Sequence, residues 1–505
     1  MSSSTLLLLL CALSLFYLVA NIILRKITAS RFKSHHSCLD PPALPQRERI
    51  IGLDLLKSGA AAVKAKNSLE CAVRRIESTA NTYSNTILGL NIITTIDPAN
   101  IQTILAQKFS DYDLGGRIHA WGPLVGKGVF TSDGPEWAHR RAMIRPNFSK
   151  QQVASLGMFE RHFGHLLALL PRDGSTVDLQ KLFFSMTLDS ATEFLFGQSV
   201  GAQGAGSGSE ADRFQRAFDF AQHQMPDRNR LGVMNRFIPN AKFKAACKVV
   251  HAWADTYVEQ WLRSRDLESP KPNSENSKYV CLEQIADQVQ DPRQLREEML
   301  NVLLAGRDTT AGLLSNTFHV LSRHPDVWEK LRAEVDTLEG RLPTYEDLKS
   351  LKYLKCVLCE VLRLYPPVPT NARCAKVNTV LPTGGGPTRT SPVFVPKGSI
   401  VVYSIYALQR RQDIYGPTAK QFIPERWTSD SPDDPLRPGW GYIPFSGGPR
   451  ICVGQQYALT EASHTIVRMC QNFKELQSRD QGPWKEGLGL TLCSGEGTHV
   501  GLVPA

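Results

Sequence analysis

The chain has 505 residues, a formal net charge of +10 and eleven cysteines. At roughly 150 residues per domain the length allows for several domains, and the basic balance suits nucleic acid, acidic proteins or an anionic membrane surface. No zinc-finger spacing or other nucleic-acid module is present, and the odd, scattered cysteines form no disulfide framework and fit a reducing compartment.

The first element is apolar. Thr5 to Leu24 carries no charge, with Asn21 as its strongly polar exception. As a helix it would span about 30 Å, the thickness of a bilayer's hydrocarbon core. A cleaved signal would have a basic start. Here the basic residues come afterwards, at Arg25, Lys26, Arg31 and Lys33. Residues 1–26 therefore read as an uncleaved anchor, with the N-terminus across the membrane and the remaining chain in the cytosol. Pro41, Pro42 and Pro45 make residues 27–48 a stiff linker. Residues 49–505 read as one large domain, because no Pro/Ser/Gly-rich linker divides them and no internal repeat appears. Gly201–Ser209 reads as a flexible surface loop.

Further along, Gly115, Gly116, Gly122, Gly126 and Gly128 give Tyr112–Val129 the composition of a mobile loop. Asp133-Gly134-Pro135 reads as a helix start, which places Trp137 and Arg141 one turn apart. Asp291-Pro292 supplies a cap and a first-turn proline, and His324-Pro325 a stop. The stretch between them predicts a helix of roughly 45 Å. Its middle, Ala305-Gly306-Arg307-Asp308-Thr309-Thr310, is unusual. Ala and Gly leave room beside the helix, and Thr bonds back to helix carbonyls and bends it. An acid and an alcohol thus meet at a widened turn, which on its own reads equally as an exposed kink. Cys356 and Cys359, in a helical pattern with no second pair, read as structural thiols. Glu360 and Arg363 share a helix face.

The last motif is Phe445-Ser446-Gly447-Gly448-Pro449-Arg450-Ile451-Cys452-Val453-Gly454, followed by a helical pattern from Gln455. Glycines tolerate positive φ, a helix start stabilises a thiolate, and Arg450 adds a cation. The arrangement suits a metal held through one thiolate.

This loop resembles the haem-ligand loop of the cytochrome P-450 family of haem-thiolate monooxygenases, Phe-x-x-Gly-x-Arg-x-Cys-x-Gly, met at Phe445, Gly448, Arg450, Cys452 and Gly454. The turn at 305–310 resembles the family's oxygen-activation motif, Glu360-x-x-Arg363 its Glu-x-x-Arg, and Pro424-Glu425-Arg426-Trp427 the segment whose arginine joins that pair, with Trp427 where Phe is commoner. The resemblance implies a mainly α fold with a small β region (α+β) and haem b (iron protoporphyrin IX) with Cys452 as axial ligand. Thr309 would then hold water or the reacting oxygen, Asp308 would pass protons from solvent, and Trp137 and Arg141, with Arg373, would reach the haem propionates. Glu360, Arg363 and Arg426 would form a structural network. Arg140, Arg145 and Lys150 would add positive charge on the face where an acidic reductase docks. Electrons would come from NADPH through cytochrome P-450 reductase, with cytochrome b5 as a further partner, at the endoplasmic reticulum.

The resemblance is closest to the fungal alkane and fatty-acid branch. Thr370-Asn371-Ala372, however, stands where that branch often carries a basic residue and an aromatic. The expected substrate is therefore a fungal secondary metabolite, such as a terpenoid or polyketide, or a fatty acid or alkane. Pocket-lining segments are expected at Tyr112–Val129, the turn of the long helix at 305–310, Val368–Asn371 and Leu492–Gly495. The alternatives are a haem-thiolate enzyme of rearrangement or dehydration and a non-catalytic haem-binding membrane protein.

Overall fold

The computed structural model describes residues 3–48, 50–230, 232–237, 239–266, 280–428, 436–480 and 482–505. Its contacts gather into two compact units, one of residues 1–58, 72–113 and 372–403, the other of residues 59–71, 114–371 and 404–505. Helices dominate, as the sequence predicts for an α+β chain.

The first unit begins with helix α1, Ser3–His35. Among the described residues it is the helix long and apolar enough to cross a membrane. It continues past Lys26, because its last turns have a partner: Phe32 and Ala29 pack on Cys38, Val380 and Phe394, and Lys33 pairs with Asp40 at 2.6 Å. The β region is built on strands β1 (Thr82–Ile87), β2 (Leu90–Thr95), β3 (Tyr112–Asp113), β4 (Thr370–Ala375), β5 (Thr379–Gly385), β6 (Ser391–Val395) and β7 (Ile400–Ser404). The main sheet runs β1-β2-β7-β4-β3, with β2 and β7 parallel, while β5 and β6 form a separate antiparallel pair. Thr- and Ile-rich sequence favours the β1–β2 hairpin. Its two-residue turn, Leu88-Gly89, has positive φ at both positions, the geometry that matches strand twist.

The second unit holds helices α2 (Gly134–Ile144), α3 (Leu179–Phe196), α4 (Glu210–Arg230), α5 (Pro292–Leu321), α6 (Lys352–Leu364) and α7 (Gln455–Asn472). Helix α5 is its axis. Asp291 caps it by accepting from the Arg293 N–H at 3.2 Å, Pro292 occupies the first turn, and the chain leaves at Ser322 before Pro325. Nearly every residue from Leu295 to Leu321 is buried, against α3, α6 and α7 among others. The Phe183 and Phe318 rings pack at a tilt, 5.2 Å apart, in this core. Gly201–Ser209 is less free than its composition suggests: the buried Asp189 carboxylate accepts from the Ala202 and Gln203 N–H groups.

Two glycines of the predicted mobile loop have a packing reason instead. A Cβ at Gly126 would lie 2.1 Å from the Glu297 side chain, and one at Gly128 would lie 2.1 Å from Asn301. These close approaches latch the loop to α5: Asn301 donates to the Val125 carbonyl at 2.8 Å, and Glu297 accepts from the Lys127 N–H at 3.1 Å.

Candidate functional site: a single-thiolate loop and a buried acid–alcohol turn

The Cys452 loop is set by a few backbone requirements. Cys452 N–H donates to the Phe445 carbonyl at 3.0 Å, which closes the loop on itself. Positive φ occurs at Gly448 and also at Ser446. Gly447 is extended, and glycine is needed there for space, since a Cβ would lie 2.5 Å from the Trp440 ring. Gly454 caps α7 and faces Phe148, which would sit 3.4 Å from an added Cβ. Beneath the loop, Tyr457 is packed among Phe148, Phe159 and Phe194. Phe445 is half-buried against the core.

Two arginines serve this loop differently. Arg141, on α2, donates from Nη2 to the Ile451 carbonyl at 2.7 Å. Arg450 turns away to Asp133 at 2.6 Å and to the carbonyls of Val129 and Ser132. Both guanidinium groups lie against the buried Trp137 ring, at 5.9 Å and 4.4 Å. Burial pushes the Cys452 thiol up, while the Gly454 N–H and the charge of Arg141 pull the other way. The cation that acts on the sulfur is therefore Arg141, where the sequence alone pointed to Arg450. Arg373 lies in the other unit, buried, with Nη1 donating to the Ala372 carbonyl at 2.8 Å and its guanidinium 5.9 Å from the Tyr403 ring.

On α5, Thr309 bonds back to the Ala305 carbonyl at 2.6 Å. Asp308 is buried, and burial pushes its carboxyl up against the opposing pull of Arg307. Arg307, the residue between the named motif positions, is fully buried and donates to Asp308 at 3.1 Å. At Gly312 an added Cβ would meet the Leu492 carbonyl at 2.8 Å, so glycine there lets strand Leu492–Ser494 touch the helix. Much of the expected loop is in fact a helix, Arg117–Val125, whose first residue, Arg117, donates to Asn371 at 3.0 Å. Two of the expected pocket segments, Tyr112–Val129 and Leu492–Gly495, thus contribute residues packed on α5, while Asn371 of a third meets Arg117.

The network of Glu360 is more complete than its spacing implies. Arg363 donates to both Glu360 oxygens at 2.8 Å, Arg426 donates to Oε1 at 3.0 Å, and the Ile423 N–H joins at 3.0 Å. Trp427 contributes its indole N–H to Oε2 at 2.9 Å, a bond that Phe could not make. One expectation fails: Arg140 is not a surface charge. It is buried in ion pairs with Glu298 and, at 3.2 Å, Glu136. Burial pushes Glu298 up to about 7 despite that partner.

A cytochrome P450 family model matches residues 77–495. The chain belongs to the cytochrome P450 family. It is similar to the cytochrome P450 monooxygenase himC of Aspergillus japonicus, with 42% identity over 96% of this chain and 88% of that protein. Similarity to cytochrome P450 52A13 of Debaryomyces hansenii is 40% over 96% of each chain, and to cytochrome P450 52A10 of Candida maltosa 44% over 83% of each. This P450 is a haem-dependent monooxygenase. Its residues fit the group: among the described residues no cluster of three or more His, Cys, Asp or Glu could hold a bare ion, so the single free thiol of Cys452 in its loop suits a metal whose other ligands come from a macrocycle.

Proposed function

We propose a membrane-anchored P450 that hydroxylates an apolar substrate, a fungal secondary metabolite such as a terpenoid or polyketide, or a fatty acid or alkane. Residues 1–26 anchor it at the endoplasmic reticulum, residues 27–48 link, and residues 49–505 form the cytosolic catalytic domain. NADPH supplies electrons through cytochrome P-450 reductase, with cytochrome b5 as a second donor. In support, α1 is long and apolar enough to span, the relatives named above are fungal, and Arg145 remains an exposed cation close to the Cys452-supporting helix α2.

When bound, the haem supplies oxygen activation and transfer. The chain does the rest. Cys452 would hold the haem iron through its sulfur, Gly454 and Arg141 would temper that sulfur, and Trp137, Arg141 and Arg450, with Arg373, would bind the propionates. Phe445 packs the loop. Asp308 takes up and releases protons, and Thr309, the next residue, presents a hydroxyl. The observation that carries this reading is the acid–alcohol pair itself: a buried Asp308 next to a Thr309 hydroxyl on the long central helix. Rearrangement or dehydration of an already oxidised substrate has no use for such a proton supply.

The Thr309→Ala variant tests it. Coupled turnover is expected to fall on the order of tenfold or more, with peroxide released in place of product and substrate-induced spin shift retained. Unchanged product yield without peroxide would defeat the assignment.

A further inference from the structure

Arg307 joins two helices through one nitrogen. Its Nη1 donates to Asp219 on α4 and to Asp308 on α5. Nε donates to the Phe184 carbonyl at 3.4 Å, and the Phe184 and Phe218 rings lie 5.1 Å and 5.7 Å from the guanidinium. The side chains of Arg307 and Asp308 are 1% and 4% exposed, whereas that of Asp219 is 37% exposed. Asp219 is thus the wet end of a row whose dry end is Asp308. One buried cation serves two carboxylates, and charge in such a place is costly unless balanced. The competition has a definite direction. A carboxylate that holds a guanidinium alone is a tight, ionised pair; one that must share it gives up part of that stabilisation.

We propose that Asp219 is a positioning residue for Asp308: by drawing on Arg307 Nη1, it keeps Arg307 from fixing Asp308 as a permanent ion pair and so leaves Asp308 able to exchange a proton. This rests on the reading of Asp308 as the proton carrier. It adds a conformational condition, because Asp219 belongs to α4. Proton supply is complete only while α4 is seated against α5. The other polar groups acting on Asp308 do not replace Asp219. Gln222 and His223 sit on the same helix, and the Cys493 thiol is pushed up by burial to about 12, so it stays neutral. Removing Asp219 lowers the proton affinity of Asp308, since a negative neighbour raises it. In the proton step only O–H bonds form and break.

The test uses the full-length holoenzyme with Asp219→Asn, the charge-conserving Asp219→Glu, and Asp212→Asn as a control on the same helix, where Asp212 accepts from the exposed Arg216 at 2.8 Å and from the Gly208 N–H at 2.7 Å, both far from Arg307 in the chain. For Asp219→Asn we expect product formed per NADPH to fall several-fold, a larger solvent isotope effect on coupled turnover, and a pH profile of coupling displaced to lower pH. Substrate affinity and the thermal midpoint should stay near those of the parent, Asp219→Glu should recover much of the coupling, and Asp212→Asn should match the parent. A lowered thermal midpoint with parental coupling and isotope effect would overturn the proposal in favour of a purely structural bridge. Asp308→Asn separates the two layers. If it uncouples while Asp219→Asn does not, the inference about Asp219 fails and the role of Asp308 stands. If it leaves coupling intact, both fail.

Discussion

Replacing Glu360 by alanine is expected to destabilise the folded chain by about 3–5 kcal/mol, the cost of breaking a buried pair by removing one partner. Glu360 is fully buried and balances two buried guanidinium groups, those of Arg363 and Arg426. Arg363 would keep its bonds to the Gln409 and Gln421 carbonyls but lose its counter-charge, and the Trp427 indole N–H would lose its acceptor. Glu360→Gln preserves shape and part of the hydrogen bonding, so its loss should be smaller. Chemical denaturation of both variants checks the order; equal stability of Glu360→Ala and the parent would refute it. Although burial raises the Glu360 pKa, Arg363, Arg426 and the Ile423 N–H hold it below the ordinary carboxylate value. The sign follows: the network's contribution is complete above the ordinary carboxylate range and is lost as pH falls through the depressed folded value.

The second large effect is chemical. Cys452→Ser should leave the fold within about 1 kcal/mol of the parent, since serine is nearly isosteric and the backbone bond to Phe445 is retained. Turnover should fall to background, and the reduced, carbon-monoxide-bound protein should lose the thiolate-type Soret shift, because a serine hydroxyl cannot donate charge as a thiolate does. A thiolate-type spectrum in the serine variant would remove Cys452 as the ligand.

Features written in neighbouring residues were legible in the sequence. Asp291-Pro292 and His324-Pro325 bracket α5 through local caps and proline geometry, and Thr309 finds its acceptor four residues back. Glu360 and Arg363 meet because a helix puts them on one face. Side chains whose partners lie far along the chain were misread or missed. Arg140 looked like surface charge until Glu298, 158 residues later, proved to be its partner. Arg307 filled an unspecified motif position until Asp219, 88 residues earlier, gave it a role. Trp427 read as a tolerated aromatic exchange, yet its N–H is used. Gly126 and Gly128 suggested mobility, because composition reports what a glycine permits and not what stands opposite it. The Arg450 cation was read as serving the thiol, but Asp133, brought near only by folding, takes it.

The docked end of α1 bears on how the catalytic part can be prepared without its apolar leader. Truncation at the prolines would remove Ala29, Phe32 and Cys38 from Val380 and Phe394 and uncover a greasy spot that invites self-association. A cut that leaves the chain beginning a few residues before Ala29 discards the most lipophilic stretch yet keeps this small plug in place, and should give the better-behaved soluble enzyme.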